Sequence, residues 1–78
     1  MFKELNDFIR DTTLRIIIYK NKININNYKE ILIFEDNNIT IKTNENIIEI
    51  KGENLIITKL EKHELLIQGK INKIEFRW

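Results

Sequence analysis

From Leu14 to the C-terminus, apolar side chains recur at every second position within short segments, and the segments are separated by only two to four residues rich in Asn, Asp, Lys, Glu and Gly. A period of two is the repeat of an extended chain whose side chains alternate between two sides. Connections this short cannot carry a strand back to a parallel neighbour, which takes a crossover of about a dozen residues or more. The pattern therefore predicts an all-β fold: a small antiparallel meander, or a rolled sheet or barrel, of about seven strands. The expected strands cover residues 14–19, 22–26, 30–35, 38–43, 47–51, 55–60 and 65–76, with Gly69 a break point in the last. Ahead of them, Phe2, Leu5, Phe8 and Ile9 fall at the three- and four-residue spacing of one helix face, which predicts a short amphipathic helix over residues 1–13 and a single β domain over 14–78.

The strands divide by how many of their faces are apolar. In NITIKT, Ile39 and Ile41 share one side and Thr40 and Lys42 the other, as a half-solvated sheet requires. In EILIFE, Ile31 and Ile33 are backed by Leu32 and Phe34, and in LIITKL, Leu55 and Ile57 are backed by Ile56 and Leu60. Both faces of those two strands need cover, from the rolled sheet, the helix or a second subunit. Leu32, Phe34, Ile56 and Leu60 are accordingly the candidate interface residues, and a homo-oligomer, a dimer first, is the expected assembly. A chain of 78 residues buries only about 60% of the surface its unfolded form exposes, which adds to the case for a partner. Proline, a usual guard of exposed strand edges, is absent, and Lys22, Lys51 and Lys73 are the expected substitutes.

The same residues exclude several functions. There is no cysteine, hence no disulfide and no thiolate metal site, which suits a reducing cytoplasm. The single histidine, His63, lies in the charged stretch LEKHELL and is expected as an exposed turn residue; serine is absent, so no Ser-His pair can form. Glu61 and Glu64 share that polar turn, whereas a general acid needs an apolar pocket to raise its pKa. No catalytic residue, cofactor site or metal site is assigned, and no enzyme activity is expected. No apolar run reaches the length of a membrane span, and the first 13 residues lack the pattern of a signal peptide.

The two glycines, Gly52 and Gly69, each follow an alternating strand, in EIKG and LIQG, where a bulge or a left-handed backbone is easiest without a Cβ. Gly52 is expected at a positive φ or in a bulge, with Asn54 bonded to nearby backbone. Around Gly52 the chain resembles the YabP/YqfC family of sporulation proteins, which share a Thr-x-x-Gly-x-Leu-x-Ile-x-Gly-x-Asn-Leu core. Thr43, Ile48, Ile50, Gly52, Asn54 and Leu55 fill that pattern here, and Gly69 with Ile71 resembles its closing Gly-x-Ile. Upstream, Asn27, Tyr28 and Lys29 in ININNYKEIL resemble the wording of the YqfC branch. Where the family tends to have glycine, this chain has Tyr19, Glu30 and Asn46; Asn46 can keep a positive φ, while Tyr19 and Glu30 are expected to alter the first two turns. The resemblance implies a non-enzymatic interaction or assembly module acting in the mother cell during endospore formation. It also implies a place in the mother-cell cytoplasm, peripheral at the forespore surface, with a membrane protein of the YqfD kind as a partner.

A second reading comes from aromatic residues set among basic ones: Tyr19, Lys20, Lys22, Tyr28 and Lys29, then Lys70, Lys73, Phe76, Arg77 and Trp78. Small β-barrels bind single-stranded nucleic acid by stacking bases on such aromatics in a basic groove. Thirteen basic residues against twelve acidic leave a net charge of +1, which disfavours a polyanion partner. Phe76 and Trp78 also share strand parity with Ile74, which predicts core positions for them.

Overall fold

The computed structural model describes residues 13–78; the expected N-terminal helix lies outside the described residues except for Thr13, which is in neither helix nor strand. The described residues form one six-stranded antiparallel sheet that does not close into a barrel. Its strands are β1 (Arg15–Ile18), β2 (Lys22–Asn26), β3 (Glu30–Glu35), β4 (Asn38–Lys42), β5 (Ile47–Leu60) and β6 (Glu64–Arg77). The expected count of about seven becomes six because the segments 47–51 and 55–60 are one continuous 14-residue strand. Gly52 does not end the strand but bends it.

The order across the sheet is β1-β2-β6-β5-β4-β3. Strands β3 to β6 follow one another as a meander, but the β1–β2 hairpin docks on β6, so the chain crosses from one flank to the other between β2 and β3. β2 covers only Glu64–Gln68 of β6, and β4 covers only Ile47–Lys51 of β5. The two long strands thus carry one hairpin on each half. Between the halves the β5–β6 register shifts at Lys51/Gly52 and again between Glu53 and Ile56, where the extra residues bend the pair and sharpen its twist.

Both glycines sit in this bend, back to back. A Cβ on Gly52 would lie 2.0 Å from the Lys70 carbonyl oxygen, and one on Gly69 would lie 2.7 Å from that of Asn54. Gly69 also holds a φ of 139°, while Gly52 takes the bulge and not the positive φ. The hairpin tips are tied to the same place: Gly52 N donates to Asn37 O at 3.2 Å, Leu55 N to Asp36 O at 2.8 Å, and Gly69 N to Asn21 O at 3.1 Å. Glycine is placed where backbone approaches backbone too closely for a Cβ.

Bending brings one face of both halves into a single core. Ile39, Ile41, Ile48 and Ile50 from one half and Ile23, Ile25, Leu65 and Ile67 from the other are fully buried in one cluster, with Leu55 at the junction. Each such side chain contributes about 1.5–3 kcal/mol when taken out of water. Phe76 and Trp78 are not part of it, contrary to the expectation from parity: both are exposed, Trp78 at 89%. Phe76 lies in, and Trp78 just beyond, the half of β6 that β2 does not reach. The edge guards also differ from those expected. Lys22 lies in β2 and Lys51 in the part of β5 paired on both sides, so only Lys73, in the far half of β6, borders an unpaired edge.

Candidate interaction surface

The residues of the family pattern build turns. Asn27 follows β2 with a φ of 67°, donates its backbone N–H to His63 O at 2.6 Å and its side-chain amide to Thr13 O at 2.7 Å. Asparagine accepts this left-handed backbone better than other residues with a Cβ. Tyr28 packs on the core and donates its hydroxyl to Glu61 O at 2.7 Å, and Lys29 N closes onto Lys42 O at 2.7 Å. The turn from β2 to β3 is thereby pinned to the β5–β6 turn, in which His63 is exposed as expected.

Thr43 organises the turn between β4 and β5. Its hydroxyl donates to Asn46 Oδ1 at 2.6 Å and accepts from the backbone N–H groups of Glu45 at 3.1 Å and Asn46 at 3.0 Å, all around a buried site. Asn46 therefore keeps its place as a side-chain partner of Thr43, not through a positive φ. Asn54 is the residue with the left-handed backbone, at a φ of 54°, inside the bend; that conformation, more than a side-chain bond, is its contribution. Tyr19 and Glu30 have no positive φ, and Tyr19 N closes the β1–β2 turn onto Lys22 O at 2.8 Å. Asn27, Tyr28, Lys29, Thr43, Gly52, Asn54, Leu55 and Gly69 are thus spread over two turns and one bend, and form no pocket together.

The outer face of β2, β6 and β5 carries a polar network. Lys59 Nζ lies 2.9 Å from Glu64 and 3.7 Å from Glu61, and Asn24 Nδ2 donates to Glu64 at 2.9 Å. The hydrogen bond from Asn24, then that from Lys59, holds the Glu64 carboxyl below the usual carboxylate range. Beside them an open cleft of about 630 Å³ is lined by residues including Tyr19, Lys20, Lys22 and Leu66. The rest of the basic and aromatic set does not join it. Tyr28 is turned to the core, Lys70 pairs with Glu53 at 3.2 Å, Lys73 with Glu75, and Arg77 with the buried Glu49 at 3.1 Å. A continuous basic groove is not assembled. Among the described residues no group of three His, Cys, Asp or Glu side chains gathers either.

What the surface does present is hydrocarbon. Leu32, Phe34, Ile56 and Leu60 are all exposed, Phe34 at 58% and Leu60 at 60%. Leu32 and Phe34 lie together on β3, while Ile56 and Leu60 lie on the far half of β5, so these four do not form one patch. Ile17, Ile18 and Tyr19 on and after β1 and Ile33 on β3 join the exposed set without having been named as interface candidates. Their signal was present in RIIIY, an apolar run with side chains to both faces, the same signal that marked EILIFE. Among the described residues no helix is long and apolar enough to cross a membrane.

Comparison with known proteins places these turns and strands in one context. The model of the YabP family matches residues 12–77, which takes in every strand of the sheet. No curated protein matches the chain.

Proposed function

The chain belongs to the YabP family of sporulation proteins, which is not known as a family of enzymes, and on that premise we propose that it is an interaction or assembly module acting in the mother cell during endospore formation. The observation that carries this reading is the exposure of large apolar side chains on regular strands, above all Leu32 and Phe34 on β3 and Ile56 and Leu60 on β5. Exposed hydrocarbon on rigid elements is the usual mark of a contact surface. A second copy of the chain and a membrane protein of the YqfD kind at the forespore surface are the partners put forward, the latter supported by the YqfC-like wording around Asn27, Tyr28 and Lys29.

Photo-reactive side chains placed one at a time at Phe34, Ile56 and Leu60 in sporulating cells test the reading directly. Crosslinks to defined proteins are expected, with none from a control position at Lys62. Absence of adducts at all three sites would remove the interaction reading. The other reading, a single-strand nucleic-acid binder, rests on Lys20 and Lys22 beside Tyr19 in the open cleft. Retention on an oligonucleotide column that collapses between low and moderate salt would support it, because phosphate binding releases counterions.

A further inference from the structure

Among the described residues β1 and β3 are the outermost strands of the sheet, and each has one side unpaired. The other one-sided segments, the far halves of β5 and β6, carry charges along their length: Lys59 on one, Lys73, Glu75 and Arg77 on the other. Charges there discourage strand addition. The outer strands differ, because their interiors hold no charge. β1 with its continuation reads Arg15-Ile16-Ile17-Ile18-Tyr19-Lys20, and β3 reads Glu30-Ile31-Leu32-Ile33-Phe34-Glu35. One edge is apolar between two cations and the other apolar between two anions.

We propose that copies of this chain join head to tail, β1 of one copy adding antiparallel to β3 of the next; this specifies the partner in the interaction reading above and rests on it. Six strands, each antiparallel to its neighbour, leave the two outer strands running in opposite directions, so copies added in one orientation meet antiparallel. In the register that sets Arg15 opposite Glu35, Ile16 meets Phe34 and Ile17 meets Ile33, and past the bulge at Leu32 the β1–β2 turn with Lys20 lies toward Glu30. Faces agree as well. Ile16, paired with Ile25, and Phe34, paired with Ile39, lie on the core-facing side of their sheets, while Ile17, paired with Asn24, and Ile33, paired with Thr40, lie on the outer side.

The backbone suits the same register. Tyr19 N donates to Lys22 O within the β1–β2 hairpin, so alternation turns the amides of Ile16 and Ile18 outward. Thr43 N donates to Asn46 O, so alternation along β4 turns Asn38, Thr40 and Lys42 toward β3; Glu30, Ile33 and Glu35 opposite them bond inward, and Phe34 turns its amide outward. Ile16 and Phe34, whose amides both face outward, would exchange backbone bonds. Two-fold pairing is disfavoured by charge. β1 against β1 sets Arg15 opposite Lys20, and β3 against β3 sets Glu30 opposite Glu35, like charges on facing strands. A head-to-tail contact closes into a ring or runs on as a filament.

Sedimentation velocity of the full chain decides it. The wild type is expected to form species that grow with concentration, and Glu30→Lys with Glu35→Lys, or Arg15→Glu with Lys20→Glu, is expected to weaken association by about tenfold or more. A one-to-one mixture of the two double variants restores opposite charges at every junction and should associate as an alternating copolymer. Because Arg15 has contacts within its own chain, the single variants Lys20→Glu and Glu30→Lys, alone and mixed, repeat the test without it. Circular dichroism confirms that each variant is folded. A wild type that stays monomeric at high micromolar concentration, or a mixture that gains nothing over its components, overturns the edge pairing. Neither result touches the crosslinking test of the interaction reading, which fails only if no partner of any kind is captured.

Discussion

At the scale of single residues, Gly52, Gly69 and Glu64 have effects that can be separated. Alanine at position 52 would set its Cβ 2.0 Å from a backbone oxygen, so the β5–β6 pair must move apart. A loss of about 1–3 kcal/mol is expected, lowering the melting temperature by about 4–8 °C for each kcal/mol in a domain of this size. Gly69→Ala adds an unfavourable φ to a close approach and should cost at least as much. Unchanged melting of either variant would refute the account of the bend. Glu64 gives a pH dependence. Its carboxyl is held below the usual range in the folded chain, so its contribution is full above the unfolded pKa and is lost as pH falls through the lowered folded value. Acid should therefore destabilise the wild type more than Glu64→Gln across that window, and thermal melts from neutral to acid pH would show the two curves converging.

Among the elements, β5 and β6 carry the fold and the outer strands depend on them. Each long strand pairs with the other along its length and with one hairpin strand on half of it, whereas among the described residues β1 and β3 are each paired on one side only. Amide exchange should be slowest at Ile48, Ile50, Leu65 and Ile67 and fastest along β1 and β3. Equal protection across all six strands would contradict this order. The turn held by Thr43 gives a second test at this scale. Thr43→Val keeps the shape but removes a hydroxyl that makes bonds to Asn46 and Glu45, leaving buried polar atoms without partners. A loss of about 1–3 kcal/mol by denaturant titration is expected. Thr43, Gly52 and Asn54 stood out in the sequence by their place in the family pattern, and in the fold they hold a turn, a bulge and a left-handed backbone. The roles of Asn46 and Asn54 were not legible there, because an asparagine can supply a side-chain partner or a left-handed backbone, and only the fold around it selects one.

For the whole molecule, the proposed association predicts a melting temperature that rises with protein concentration, since a state that binds its own copies is stabilised by mass action. Phe34→Asp should abolish that dependence while leaving the dilute-limit melting nearly unchanged, because Phe34 is already 58% exposed in the single chain. A fall in the dilute-limit value would show that Phe34 supports the domain itself. The fold class, the antiparallel pairing and most strand positions can be read from the chain alone, because a two-residue period and two-to-four-residue connections are local properties that admit few alternatives. The sequence also marked β3 and the far half of β5 as two-faced, and the structure leaves Leu32, Phe34, Ile56 and Leu60 exposed. That 47–60 is one bent strand, that the β1–β2 hairpin docks on β6, and that Phe76 and Trp78 stay outside the core become visible in the folded chain alone. The physical reason is common to all three. Parity says which side of a strand a residue faces, but what lies across that side depends on where a bend folds the sheet, and the bend follows from the close approach of two backbones, Gly52 to Lys70 and Gly69 to Asn54, far apart in sequence.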